Sequence, residues 1–272
     1  MSHQFSPCQM GNAARKAPLL PAMGGALTAL IFVAATAPSA AASGGWLAYT
    51  NTRVGRSCTL GSTSGAVIKL TETTTLDSLK DTGQGTELVY TFASTASSAY
   101  SPATTSKTVI DFTVTKSGEV SVTPDLGNSV AGWTYTYKGV EYLPSITSLA
   151  ASGAHATSEF RVQMTATTAA TKAEAHQMVT SGDSISMSVK VNIAVQRATA
   201  PVVTPGGTFS NVLESSESVS IEVSNLRPQY KAVFSGITAA MSAPSHSYYA
   251  SGTGLVKEVA GSTTMVLTGC KG

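Results

Sequence analysis

Ser184–Gln196 reads SISMSVKVNIAVQ, with Ile185, Met187, Val189, Val191, Ile193 and Val195 at every second position. The residues between them are mostly Ser, Lys and Asn, and Ala194 is the one apolar exception. A period of two over this length is what a strand needs when one face packs and the other meets water. Wound into a helix, the same side chains would scatter around the circumference. The turn residues Ser181-Gly182-Asp183 sit just before it.

Working outward, the same pattern recurs in shorter form. Phe160, Val162 and Met164 alternate on one side, and Val219, Ile221 and Val223 on the other. Ala66–Leu70, Leu88–Phe92, Thr108–Thr115, Glu119–Thr123, Tyr230–Phe234, Leu255–Val259 and Thr264–Leu267 read as further strands. Trp133–Leu143 reads as a hairpin turning at Lys138-Gly139. Ala93–Lys107 and Pro144–Ser158, rich in small and hydroxylated residues, are expected to be surface loops. Ala169–Met178 (AATKAEAHQM) has helix-forming composition, and helix and ordered loop both stay open there. Arg197–Thr208 carries Pro201, Pro205 and Gly206-Gly207 and is the candidate linker. The piece beyond it is small for an independent sandwich, so the linker is read as a crossover between sheets. Short strands at this spacing predict an all-β chain: one Ig-like or Greek-key β-sandwich domain over residues 43–272.

The N-terminus sets the compartment. Arg15 and Lys16 precede the short apolar run Leu27–Thr36, and Ala40-Ala41-Ala42 offers a small-residue cleavage site before Ser43. That order of parts predicts a secretory signal peptide over 1–42 and no stable membrane anchor after cleavage. The run falls short of the roughly 20 residues a spanning helix needs. Cleavage removes two of the 17 basic residues and none of the 15 acidic ones, leaving a formally neutral chain. A neutral chain without a basic stripe does not suit nucleic acid. Cys8 leaves with the signal, and Cys58 and Cys270 remain. In an oxidising compartment an even pair reads as a disulfide, with free thiols or pairing between chains as alternatives.

Chemistry is thinly supported. His155, His176 and His246 share no ligand spacing, and neither a His-Glu-x-x-His nor a Cys cluster occurs, so no metal or cofactor is expected. Gly61-Ser62-Thr63-Ser64-Gly65 has Thr63 where a nucleophile elbow needs Ser, and reads as a turn. Glycosidase chemistry needs two facing carboxylates. Asp111, Glu119, Asp125, Glu141 and Asp183 are available, but sequence alone does not pair them. No catalytic residue is assigned, and the chain is expected not to be an enzyme. The aromatic set Trp133, Tyr135, Tyr137 and Tyr142 is the candidate binding platform, with core packing as its alternative. Tyr248-Tyr249 beside His246 is a second candidate spot.

An export signal, a neutral body rich in Ser, Thr, Ala and Gly, short alternating strands and one cysteine pair together resemble the bacterial chaperone–usher fimbrial subunits and adhesins. The resemblance covers the character of the whole mature chain and rests on no single motif. It implies an incomplete sandwich finished by a neighbour's strand. Its partners would be other fimbrial subunits, a periplasmic chaperone and a host glycan or protein. The place would be the cell surface, after transit through the periplasm. The function expected is therefore a secreted structural or adhesive subunit of a surface fibre, assembling by strand pairing. A secreted carbohydrate-binding module or carbohydrate-active enzyme is the alternative, and an envelope binding protein a third.

Overall fold

The computed structural model describes residues 45–49, 51–63, 68–98, 101–125, 132–147, 149, 153–242 and 244–272. The expected signal peptide lies outside them. From the N-terminus the strands are β1 (Ser57–Ser62), β2 (Ile68–Thr82), β3 (Gly85–Ser98), β4 (Ser101–Thr115), β5 (Val120–Asp125), β6 (Trp133–Lys138), β7 (Glu141–Leu143) and β8 (Ala154–Ala166). Helix α1 (Ala169–Met178) leads to β9 (Ser184–Arg197), β10 (Val202–Thr204), β11 (Gly207–Phe209) and β12 (Val212–Val223). Helix α2 (Pro228–Met241) leads to β13 (Ser245–Ala250), β14 (Gly254–Ala260) and β15 (Thr263–Lys271). The chain is all-β, as its periodicity demands.

Among the described residues thirteen strands form one antiparallel sheet in the order β6-β8-β9-β12-β13-β14-β15-β1-β2-β3-β4-β5-β7, and β10 and β11 pair apart. Most connections are hairpins between neighbours in sequence. The exceptions among the described strands are β5–β6, β6–β7 and β7–β8, each of which passes between the two ends of the order, β6–β7 doing so across Gly139-Val140. Both ends of the sheet therefore meet at β8. There β6 pairs with Arg161–Ala166, and Tyr142 on β7 donates its N–H to Ser158 Oγ at 2.8 Å. The sheet curls until it closes on itself. A round barrel of this many strands would hold a channel. Instead Leu76, Leu88, Ile110, Phe112, Met164, Ile185 and Val191 are all buried in one apolar cluster. The walls face each other across a filled core, as the layers of a sandwich do.

Outward positions carry the opposite character. Lys190 and Asn192 on β9, Glu159, Arg161 and Gln163 on β8, and Ser218 and Ser220 on β12 are exposed. A barrel wall in lipid shows the reverse, an apolar band facing out. Trp46, in the short 3-10 turn Trp46–Tyr49, is fully buried. Its indole donates to Pro144 O and meets the Tyr249 ring edge-on at 5.6 Å.

The sequence reading of several segments is corrected. Ala93–Lys107 is no loop: β3 and β4 run through it in register, Ala93 opposite Lys107 and Thr95 opposite Thr105. Thr is a good strand former, and cross-strand hydroxyl pairs suit a face turned to water. Trp133–Leu143 is no hairpin, because β6 pairs with β8 and β7 with β5. A period of two tells which face a residue takes and not which strand lies beside it. Tyr230–Phe234 lies in α2, which Pro228 opens from its first turn. There Tyr230 and Phe234 fall four residues apart on the face that meets the core. Arg197–Thr208 joins strands paired side by side in one sheet, β9 and β12, so it is an excursion and not a crossover.

The helix composition of Ala169–Met178 does form α1. Its start is set by a capping box: Thr168 Oγ1 accepts the Thr171 N–H at 3.2 Å, and Thr171 Oγ1 accepts the Thr168 N–H at 3.1 Å. Thr168→Ala leaves the Thr171 N–H short of its acceptor and is expected to cost about 1 kcal/mol, read as a lower urea midpoint at unchanged slope.

Candidate functional site

A glutamate at an apolar parity in a strand is forced to point where its neighbours point. Glu217 shares the parity of Leu213 and Val219 on β12, Glu258 that of Val256 on β14, and Glu72 that of Leu76 on β2. Together with Glu141 on β7, these four carboxyls are buried, each 7% exposed or less. Among the described residues no Lys, Arg or His is buried with them. The four converge. Glu217 feels the charges of Glu141 and Glu258, and Glu258 that of Glu72. Glu72 and Glu258 stand three strands apart in the sheet order, roughly 14 Å on a flat sheet. Curvature brings their side chains together on the inside.

Burial without a counter-charge disfavours the ionised form. It pushes the Glu72 carboxyl up to about 7, against a hydrogen bond from Ser94 Oγ at 3.2 Å that pulls the other way. It pushes Glu141 up to about 8. Glu217 rises well above the usual range through burial and then the charges of Glu141 and Glu258. Glu258 does so through burial and then Glu72. One oxygen each of Glu141 and Glu217 has no hydrogen-bond partner among the described residues, nor has the Tyr137 hydroxyl. The Tyr137 phenol is raised by burial and then by the Glu141 charge. Burial thus favours the neutral carboxylic acid over the carboxylate at all four positions.

Of the acids available in sequence, Glu141 joins this set, and the Asp125 side chain lies outside the described residues. Asp183 faces Lys172 at 3.9 Å, and Glu119 takes a bond from Ser117 Oγ in an exposed turn. Glu72, Glu217 and Glu258 were not singled out from the sequence. Their parity was the available signal, but it needs the strand assignment first.

The expected aromatic platform is divided. Trp133 is buried, and Tyr135 and Tyr137 are half-buried and pack inward, Tyr137 against the Phe160 ring at 4.6 Å. Tyr142 alone of the four is exposed, on the other face. Alternation that looked like display is core packing. Tyr248 and Tyr249 lie in β13 rather than in a loop, and they point opposite ways. Tyr249 is buried against Trp46. Tyr248 joins an outer-face group in which its hydroxyl donates to Glu214 Oε1 at 3.0 Å. His246 Nδ1 meets the same oxygen at 3.0 Å, Gln196 Nε2 donates to Glu214 Oε2, and Lys257 Nζ lies 5.1 Å from the Tyr248 ring centre. Partial burial works against the Glu214 charge, but the bonds from Gln196, Tyr248 and His246 and the charge of His246 bring it net below the usual range. The group satisfies itself.

Cys58 and Cys270 stand opposite each other on β1 and β15 and are joined as a disulfide. No group of three or more His, Cys, Asp or Glu among the described residues has the arrangement to hold a metal ion.

No family model matches the chain, and no curated protein does. Two solved structures show a distant likeness. One is a protein from Bacteroides fragilis assigned as exported, with a YmcC-like fold: 13% identical, TM-score 0.45, covering 82% of this chain and 99% of that one. The other is a protein from Parabacteroides distasonis assigned as a lipoprotein: 9% identical, TM-score 0.40, covering 82% and 97%. Likenesses this distant carry no argument about this chain.

Proposed function

We propose that this is an exported protein of the cell envelope or surface that works as a closed, disulfide-locked structural or binding module without chemistry of its own. The observation that carries the reading is the Cys58–Cys270 bridge between the first strand and the last. Such bonds persist in oxidising compartments outside the cytoplasm, which agrees with the leader-like residues 1–42. The converging carboxyls are sealed inside, and the outer Glu214 group is spent on its own hydrogen bonds, so neither offers a reacting centre to a substrate. In a surface fibre this module would meet its neighbours through side-chain surfaces. Strand lending suits it less well, since both ends of its sheet are already drawn together at β8.

Expression with the native leader tests the reading. The expected product is extracytoplasmic and trimmed near Ser43. Its two cysteines resist alkylation until reduced, and it runs as a monomer in unheated SDS. A cytoplasmic product with free thiols would overturn the proposal. A ladder of SDS-stable multimers that collapses on boiling would replace it with strand exchange between subunits.

A further inference from the structure

The barrel is closed unevenly. Among the described residues every neighbouring pair in the sheet order is joined by a ladder of paired residues, whereas β7 and β8, which meet where the two ends of that order come together, have none. Among the described residues the hydrogen bonds that join them both use Ser158: its Oγ accepts the Tyr142 N–H at 2.8 Å and donates to Tyr142 O at 3.5 Å. On its other side β7 keeps three register pairs with β5, from Val122 opposite Glu141 to Val120 opposite Leu143. The chain enters β7 at Gly139, whose φ of +122° suits glycine. A Cβ there would also stand 2.8 Å from Phe160 Cβ, so the bend is confined to a residue without one. The weakest seam of the barrel therefore lies beside a ready hinge.

The same three-residue strand carries Glu141. Tyr137 on β6 and Glu217 on β12 lie within reach of its charge; Glu217 also feels that of Glu258 on β14, and Glu258 that of Glu72 on β2. No cation among the described residues is buried with these groups. The Glu141 and Glu217 oxygens without partners gain nothing from the wall around them. Once both carry charge, repulsion and the lost hydration act on the strand that is held least.

We propose that the β7–β8 seam is a proton-operated closure: it is shut while Glu141 and Glu217 are protonated, and it parts as they ionise, leaving β7 on β5 and β6 on β8. Parting lets water reach Glu141 and exposes two short strand edges that are shut off in the closed form. The rest of the sheet keeps its ladders. The device is local, and it goes beyond the module proposed above.

Amide hydrogen exchange tests it, corrected for the chemical dependence of exchange on pH. The Tyr142 amide is the probe, and the β9 amides, held between β8 and β12, are the reference. Between about pH 6 and about pH 9 protection at Tyr142 is expected to fall by roughly tenfold or more while the β9 amides hold. Glu141→Gln and Glu217→Gln, made separately, should each keep Tyr142 protected at the higher pH. Either variant alone decides if the other fails to fold. Equal protection at both pH values overturns the proposal. So does a fall that persists in the folded variants, or one that β9 shares, which marks opening of the whole barrel.

Discussion

Urea denaturation is expected to show a more stable protein at about pH 5 than at about pH 8, by roughly 2–3 kcal/mol from Glu72 alone. The sign follows from the direction of the shift. Burial raises the Glu72 carboxyl from 4.5 to about 7 in the folded chain. Over that interval the folded state holds a proton that the unfolded state has released, so stability falls as pH rises. It is fully present below the unfolded value and is lost as pH passes through the folded one. Glu141, raised to about 8, acts in the same direction, but a parting seam would hydrate it and blunt its share. Glu72 has no such outlet: β2 is laddered to β1 on one side and β3 on the other. Glu72→Gln should therefore flatten the pH profile even if the seam opens freely. Against a typical total of roughly 5–15 kcal/mol, a loss of this size is easily measured. A stability that is flat, or that rises between the two pH values, would show that the interior carboxyls are solvated.

The sequence made the faces of this barrel legible but not its wiring. Ile185 to Val195 had to point one way because each lies two residues from the next, and the structure keeps all six buried. At Ala169–Met178 composition left helix and ordered loop both open, and the capping box of Thr168 and Thr171 that decides for the helix shows itself only in the structure. Neighbour choice was not legible. Trp133, Tyr135 and Tyr137 alternate whether they face a hairpin partner or β8, and nothing local distinguishes the two. The hydroxyl-rich stretch around Thr95 and Thr105 hid a strand pair because its polarity imitates a loop. In α2, Tyr230 and Phe234 satisfy a helical spacing as well as an even one, and Pro228 was the cue that favoured the helix. The interior carboxyls were the least legible part. A glutamate among Ser and Thr reads as a solvated residue until the opposite wall is known to close over it.

Reducing the protein, or replacing Cys58 and Cys270 with Ser, is expected to lower its stability by up to about 5 kcal/mol. The bridged residues are 212 positions apart. A cross-link over so long a loop removes much of the freedom of the unfolded chain. Little of the effect should come from the folded side. β1 and β15 remain paired from Ser57 opposite Lys271 to Ser62 opposite Met265, with one irregularity at Thr59/Leu60, whether or not the sulfurs are joined. Two signatures follow. Before unfolding, the reduced protein should keep the strand spectrum of the oxidised one. Its urea slope should also be steeper, because a chain freed of the cross-link exposes more surface when it unfolds. If reduction leaves the midpoint unchanged, the bridge merely decorates a ladder that already holds. If the spectrum changes in water without urea, the bridge instead maintains the native contact between the first strand and the last. The entropic account predicts neither. It places the benefit of the disulfide in the unfolded chain, whose freedom is cut by joining residues 212 positions apart.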